Sequence, residues 1–179
     1  MSNVVSPIHV GTVNGMRVRF YQSPDGKPDQ PWHSVDDLQS VFGLNRATRR
    51  LMMGEFRNGK FKHDFRTIAT ADGLVTIAPH HVAQGSIGAM EHTGGIPKGI
   101  FESYVTASSE AMGKLIDGLG FGSPAWVAFM REALSRNNES HPMLAVLDEA
   151  NFIQREGETF LRITVPADDE PPAGPEGAA

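Results

Sequence analysis

Seven basic residues lie within residues 46–66 of a chain that is acidic overall. The chain has 16 Lys and Arg against 21 Asp and Glu, whereas this segment contains only two acids, Glu55 and Asp64. Guanidinium groups pair with phosphate through two parallel hydrogen bonds and read guanine edges, so an exposed arginine-rich helix suits duplex DNA. We call the seven residues the basic segment, and they are the candidate contacts to nucleic acid or to a partner: Arg46, Arg49, Arg50, Arg57, Lys60, Lys62 and Arg66.

The same charges have a simpler interpretation as a solvated helix face. Asn58 could add a hydrogen bond to a nucleic acid, and three phenylalanines (Phe56, Phe61 and Phe65) are interleaved with the cations. Aromatic rings can stack on bases, but at the ends of helices and strands they more often anchor a core. Both interpretations of the basic segment stay open on sequence alone.

Catalytic and metal-binding patterns are weak elsewhere. His80 and His81 are adjacent, so in a helix they point about 100° apart and do not share an ion easily. His33, His63 and His92 lack metal-ligand spacing, and "QGSIG" around Ser86 lacks the spacing of a nucleophile elbow. "GLGFGS" follows a helix and lacks a closing Lys-Ser/Thr, which argues against a phosphate cradle. We therefore expect no enzyme, no metal site and no cofactor.

Two helices are predicted to position the basic segment. Ser34 is a typical N-cap with Asp37 three residues on as its capping-box partner, Gly43 suits the exit, and Asn45 suits the N-cap of a second helix. This short helix, glycine turn and basic helix form a helix-turn-helix-like pair. The predicted apolar positions are Val35, Leu38, Val41 and Phe42 in the first helix and Leu44, Ala47 and Leu51 in the second, with the arginines on another face.

The remaining pattern predicts hairpins and further helices. Asn14-Gly15 favours a two-residue β-turn, and two more hairpins are expected around residues 71–73 and 156–157. Helices are expected after Pro79, over residues 100–117, after Ser123-Pro124 and near 142–149. The apolar residues expected in the helix over 100–117 are Phe101, Val105, Met112, Leu115 and Ile116. Strands and helices are mixed without β-α-β alternation, so the fold class is α+β, with antiparallel hairpins packed on several helices.

Composition excludes several classes of protein. The chain has no Cys, which excludes disulfides and thiolate metal sites. No apolar run approaches the roughly 20 residues that span a bilayer, and the first residues do not resemble a signal peptide, so we expect no membrane association and a cytoplasmic location. Residues 166–179 contain four acids and no base among Pro, Gly and Ala, which predicts a disordered acidic tail.

Residues 7–118 resemble the Bro-N domain of phage antirepressors and baculovirus repeated-gene proteins. The resemblance is carried by "VRFY", by "PWHSVDDLQSVFGL", by "TADGLVTIAP" at Thr70 to Pro79 and by "PKGIFESYV" at Pro97 to Val105. The chain departs from the family pattern at Thr70–Gly73 and in a long loop at 22–31. The resemblance implies DNA binding, or antagonism of a repressor, in a mobile element, and it brings no catalytic residues.

These observations predict a phage- or plasmid-type regulatory protein that binds double-stranded DNA through the basic segment. The alternative is a module that binds an acidic protein, such as a repressor or a host defence factor, without DNA contact. A homodimer is left open. The expected organisation is a Bro-N-like core over 1–95, a helical extension with a C-terminal hairpin over 96–165, and the tail over 166–179.

Overall fold

The computed structural model describes residues 4–26, 29–59, 61–136, 143–147 and 152–161. The elements in chain order are β1 (His9–Val13), β2 (Met16–Tyr21), β3 (Trp32–Ser34), α1 (Val35–Val41), α2 (Arg46–Asn58), β4 (Arg66–Thr70), β5 (Gly73–Ala78), α3 (His80–His92), α4 (Ile100–Leu119), α5 (Pro124–Ser135), α6 (Met143–Val146), β6 (Phe152–Arg155) and β7 (Glu158–Leu161). The strands pair antiparallel and are mixed with the helices, so the predicted α+β class is confirmed.

The predicted hairpin turns form where the sequence allows a left-handed backbone. Asn14 and Gly15 have φ angles of 48° and 76°, and β1 then pairs with β2 from Val13↔Met16 onward. Glu156 and Gly157, which form the turn between β6 and β7, also have positive φ angles, of 52° and 84°. Asn and Gly adopt positive φ angles more readily than other residues, so the first turn can be predicted from the sequence.

The first two hairpins belong to one five-stranded sheet with strand order β1-β2-β3-β5-β4. The central strand β3 joins them: His33 pairs with Phe20 of β2 on one side and with Ala78 of β5 on the other. This strand is absent from the sequence-based prediction. Three residues are too few to show the alternation that identifies a strand.

The chain passes directly from β3 into α1, and Asp37 holds the junction. The Ser34 hydroxyl accepts a hydrogen bond from the Asp37 backbone N–H at 3.2 Å, so the predicted cap is confirmed. The Asp37 carboxylate instead bonds Arg19 of β2, accepting from the backbone N–H at 3.1 Å, from Nε at 2.7 Å and from Nη2 at 2.8 Å. Strand β3 ends at this position, so the Asp37 carboxylate, in place of a strand carbonyl, accepts the hydrogen bond from the Arg19 backbone N–H of β2.

The principal core lies between one face of the sheet and helices α1, α3 and α4. The buried stripe of α4 consists of Ile100, Tyr104, Ala107, Ser108, Ala111 and Leu115. Of the residues expected there, Leu115 is buried, whereas Phe101, Val105, Met112 and Ile116 flank the stripe and are only partly buried. A Cβ on Gly11 of β1 would lie 2.7 Å from the Ala107 Cβ, so glycine allows α4 to approach the strand this closely. Residues of α4 therefore share one core with β2 and α1.

The opposite face of the sheet buries a second cluster. Tyr21, Trp32, Val75 and Ile77 are at most 5% exposed, and Val5 and Ile68 pack against them. The Val5 backbone N–H donates to the Ala69 carbonyl of β4 at 2.8 Å, which fixes the segment before β1 against that strand.

The C-terminal part of the described chain adds a smaller cluster around α5. The Ser123 hydroxyl accepts from the Trp126 backbone N–H at 3.0 Å, which confirms the predicted cap, and Trp126 meets Phe121 and Phe152 edge to face. Among the residues that the structure describes, no helix is long and apolar enough to cross a membrane. The predicted acidic tail lies outside the described residues, and the predicted boundaries at 95/96 and 165/166 stay predictions.

Candidate nucleic-acid interface

The basic helix α2 follows α1 after a four-residue connection, residues 42–45. Gly43 has a φ angle of 65°, and its backbone N–H donates to the Ser40 carbonyl at 3.2 Å, which ends α1. Asn45 then caps α2, because its Oδ1 accepts from the Thr48 backbone N–H at 3.0 Å. Both predicted signals, the glycine exit and the asparagine cap, are therefore confirmed.

The buried side of α2 differs from the predicted one. Ala47 and Leu51 were expected to face the core, but both are exposed, and Leu51 is 72% exposed. Met52 and Met53 take that place: Met52 packs against the principal core, and Met53 packs against Val35, Ala78 and Val82. Leu51, Met52 and Met53 are three consecutive apolar residues, so the periodicity of the sequence does not determine which of them faces the core. Methionine side chains are flexible and pack readily against irregular surfaces.

Two arginines on α2 are exposed cations. Arg46 and Arg50 lie one helical turn apart, and neither side chain makes a hydrogen bond or ion pair with the residues that the structure describes. The first turn of α2 contains no acid, so its free backbone N–H groups add positive potential beside Arg46. Ala47 and Leu51, beside Arg50 on the helix surface, are exposed as well, and so is Thr48.

Arg49 has a different role from its neighbours. Its side chain is half-buried, and its Nε donates to the Leu44 carbonyl at 2.8 Å. This hydrogen bond ties α2 back to the connection that precedes it. The prediction that Arg49 shares an open face with Arg46 and Arg50 is therefore wrong, because the Leu44 carbonyl at the helix entry engages its guanidinium.

The rest of the basic segment is spread along the loop and strand after α2. Lys62 is exposed. Arg66 of β4 is occupied locally: its Nη1 donates to the carbonyls of His63 and Phe65, and its Nε lies 3.7 Å from the Asp25 carboxylate. Lys60 and the side chain of Arg57 lie outside the described residues. Phe61 and Phe65 pack against the cluster that contains Met53, so they anchor this stretch to the core.

A group of polar side chains meets inside the fold at Tyr104. The Tyr104 hydroxyl oxygen lies 3.4 Å from His33 Nδ1 and 3.2 Å from His80 Nδ1, and Ser108 Oγ lies 2.9 Å from His80 Nδ1. The His80 ring stacks on Tyr104 with 5.4 Å between ring centroids. We call these four residues the histidine cluster.

Burial sets the protonation of the histidine cluster. It lowers the pKa of His33 to about 3 and also lowers the pKa of His80, while it raises the pKa of the Tyr104 phenol. The cluster is consequently uncharged near neutral pH. Sequence reasoning missed it because its members are separated along the chain and share no spacing, so no local signal could have found it.

Other histidines stay apart from this cluster. His63 and His92 are exposed, and His81 contacts the segment after α2, with Nε2 at 3.8 Å from the Asp64 carboxylate and its ring beside Phe61. Within the described ranges, no group of three His, Cys, Asp or Glu residues could hold a metal ion. Ser86 donates to the Val82 carbonyl within α3, as an ordinary helical serine does.

Comparison of the chain with protein-family models, with curated proteins and with solved structures finds no match.

Proposed function

We propose that this chain is a regulatory protein of phage or plasmid type that binds duplex DNA through α2. The observation that carries the proposal is the pair Arg46 and Arg50, exposed on one turn of a helix and without an acidic partner in the described residues. Its support from sequence is the resemblance of residues 7–118 to the Bro-N domain. Lys62 adds a third exposed cation on the loop that follows.

The chemistry of this face suits a DNA groove. Arginine forks bind phosphate or the guanine edge, and small or apolar side chains such as Ala47 and Leu51 can contact a thymine methyl group. Met52 and Met53 on the opposite side fix α2 to the body of the protein, and Arg49 fixes its start. The helix thus presents its cations on a supported element rather than on a loop.

A charge-reversal experiment tests the proposal. The double variant R46E/R50E is expected to weaken binding to duplex DNA at least tenfold and to reduce the slope of log Kd against log salt by about two, roughly one for each phosphate that is no longer neutralised. The measurement is fluorescence anisotropy of a labelled duplex over a salt series. The matched control K98E/K114E makes the same charge change at exposed lysines outside the basic segment and should leave the slope unchanged. An equal loss in both double variants, or no binding by the native protein at low salt, would contradict DNA contact by α2.

The exposure of Leu51 favours a second candidate, an antirepressor-like module that binds an acidic protein. Arg is enriched among the residues that carry most of the binding energy of protein interfaces, and an exposed large apolar side chain beside two arginines gives such an interface apolar area to bury. In this candidate the same two arginines meet carboxylates in place of phosphates. The candidate shares the binding face with the first and differs in the partner.

Leu51→Ala is expected to change the free energy of unfolding by no more than about 0.5 kcal/mol, because the side chain is already in solvent. Chemical denaturation of the variant and of the native protein gives this difference. Duplex affinity measured on the same samples then separates the candidates. Duplex binding that the variant weakens less than about threefold fits a DNA face held by arginines, whereas the absence of duplex binding by the native protein at low salt favours the second candidate.

A further inference from the structure

A cleft opens between the start of α3, helix α5 and residues 29–30. Its volume is about 500 Å³, within the range of roughly 300–1,000 Å³ that small-molecule sites occupy. None of the residues of the basic segment lines it. The cleft is therefore a separate feature from the proposed DNA-binding face.

His80 is held in one orientation at the wall of this cleft. Its Nδ1 edge faces Ser108 and Tyr104 of α4, and its ring stacks on Tyr104. Assigning the Ser108 hydroxyl as donor in the 2.9 Å contact places the proton of the neutral imidazole on Nε2. Because Nδ1 is engaged, Nε2–H is the group left to bind a ligand in the cleft. Such support by neighbouring hydrogen bonds is what keeps a binding group in position.

The charged groups of the cleft are engaged within the protein, and Arg136 pairs with two carboxylates, those of Asp29 and of Glu132, the latter at 3.0 Å from Nε. Arg136 Nη1 donates to Asp29 Oδ1 at 3.1 Å, and Asp29 also accepts from the Trp32 indole N–H at 3.3 Å and from the Gln30 backbone N–H at 2.8 Å. The carboxylate is thus engaged on both oxygens, with Arg136 as its counter-charge. His80 is neutral as well, since burial lowers its pKa. A ligand here meets charges that are already paired within the protein, which favours a neutral ligand over a free anion or cation.

The lining of the cleft is also partly apolar and includes the edge of an aromatic ring. Met112, Phe129 and Leu134 line the cleft together with His80 and the half-buried Gln84, although Phe129 is only 5% exposed. Apolar side chains combined with a few fixed hydrogen-bonding groups are typical of small-molecule sites. We propose that this cleft binds a neutral heteroaromatic molecule of nucleobase size, which packs against Phe129 and hydrogen-bonds to His80 Nε2 and to the Gln84 amide.

The two tryptophans of the chain make the proposal testable by NMR. Trp32 donates its indole N–H to Asp29 at the rim of the cleft, whereas Trp126 packs among the aromatic rings near α5. Titration of indole-labelled protein with adenine or benzimidazole is expected to shift the Trp32 indole resonance along a saturable curve in the millimolar range, with little change at Trp126. Acetate and inorganic phosphate, the anionic probes, should leave Trp32 unchanged.

Variants then identify the binding groups. His80→Phe keeps a ring on Tyr104 but removes Nε2 and should weaken adenine binding at least tenfold, while His92→Phe, the same change at an exposed site on α3, should leave it unchanged. If His80→Phe fails to fold, the half-buried Gln84 provides the second test: Gln84→Ala is expected to weaken adenine binding by about threefold or more. The proposal is overturned by a linear, non-saturating response, by an equal response to acetate, or by binding that both cleft variants retain. The DNA titration of R46E/R50E is read separately, so either proposal can fail alone.

Discussion

Asp37→Ala is expected to lower the free energy of unfolding by about 2–3 kcal/mol, somewhat less than the loss caused by removing one partner of a fully buried ion pair, because the pair with Arg19 is partly buried. The side chains of Asp37 and Arg19 are only 18% and 23% exposed, and two of the hydrogen bonds between them are shorter than 3 Å. The substitution also leaves the Arg19 backbone N–H without its acceptor. Urea denaturation of the variant and of the native protein at neutral pH measures the difference.

Asp36→Ala is the matched control for this prediction. Asp36 precedes Asp37 in the first turn of α1 but is exposed, so it loses only its interaction with the helix dipole. The expected cost is about 0.3–1 kcal/mol. Equal losses in the two variants would mean that Asp37 acts only as a first-turn acid, and the role assigned to its pair with Arg19 would be wrong.

Mild acid is expected to destabilise the protein through its buried histidines. His33 is neutral in the folded state because burial lowers its pKa from 6.5 to about 3. The unfolded chain therefore binds a proton that the folded chain does not bind between these two values, so stability is complete above pH 6.5 and falls as the pH decreases toward 3. The slope is about 1.4 kcal/mol per pH unit once the unfolded histidine is fully protonated. His80, whose pKa is also lowered, adds to the same trend.

Asp37 contributes only at lower pH. Burial alone would raise its pKa, but the hydrogen bonds from Arg19 outweigh burial and lower it below 3.8, so its stabilisation is lost as the pH falls below about 4. The free energy of unfolding measured from pH 7.5 to pH 4.5 thus reports on the histidines. Because this range extends about two pH units below 6.5, His33 alone should account for a loss of about 2–3 kcal/mol, to which His80 adds.

Two variants assign that loss to His33. His33→Phe should remove this loss of about 2–3 kcal/mol and leave only the part that His80 supplies, whatever the effect of the variant at neutral pH. His63→Asn at an exposed position should leave the dependence of stability on pH unchanged. The comparison uses slopes, so a less stable variant still gives an answer. A slope in His33→Phe equal to that of the native protein would contradict the assignment.

The sequence predicted the features that short-range chemistry determines. The Asn14-Gly15 turn and the caps at Ser34, Asn45 and Ser123 each depend on a few adjacent residues and are confirmed. The features that the sequence did not predict depend on residues that are far apart along the chain. Strand β3 is defined only by its pairing with β2 and β5 on either side. The Asp37 carboxylate bonds Arg19, and not the N-terminus of its own helix, because the pairing of β3 with β2 ends before it reaches Arg19.

In the candidate site, too, the features set by adjacent residues could be predicted and those set by distant contacts could not. Exposure of Arg46 and Arg50 could be predicted from composition and spacing, but the phase of α2 could not, because Leu51, Met52 and Met53 offer the core equivalent apolar surface. The hydrogen bond from Arg49 to the Leu44 carbonyl depends on how the connection between the helices folds. The histidine cluster requires β3, α3 and α4 to meet, which no window of sequence contains.

The hydrogen bond from Val5 to Ala69 shows that the sheet is strongly curved. Thr70 and Gly73 pair beside the turn, so pairing alternates and the Ala69 carbonyl points outward, away from β5. Val5 therefore lies beyond the β4 edge, although β1 at the opposite edge begins only four residues later. In a flat sheet these positions would be about 24 Å apart, five strand spacings, whereas four residues reach only about 14 Å. The sheet must accordingly curl into a partial barrel, with Tyr21, Trp32, Val75 and Ile77 on its concave side and the segment before β1 closing the gap between its edges.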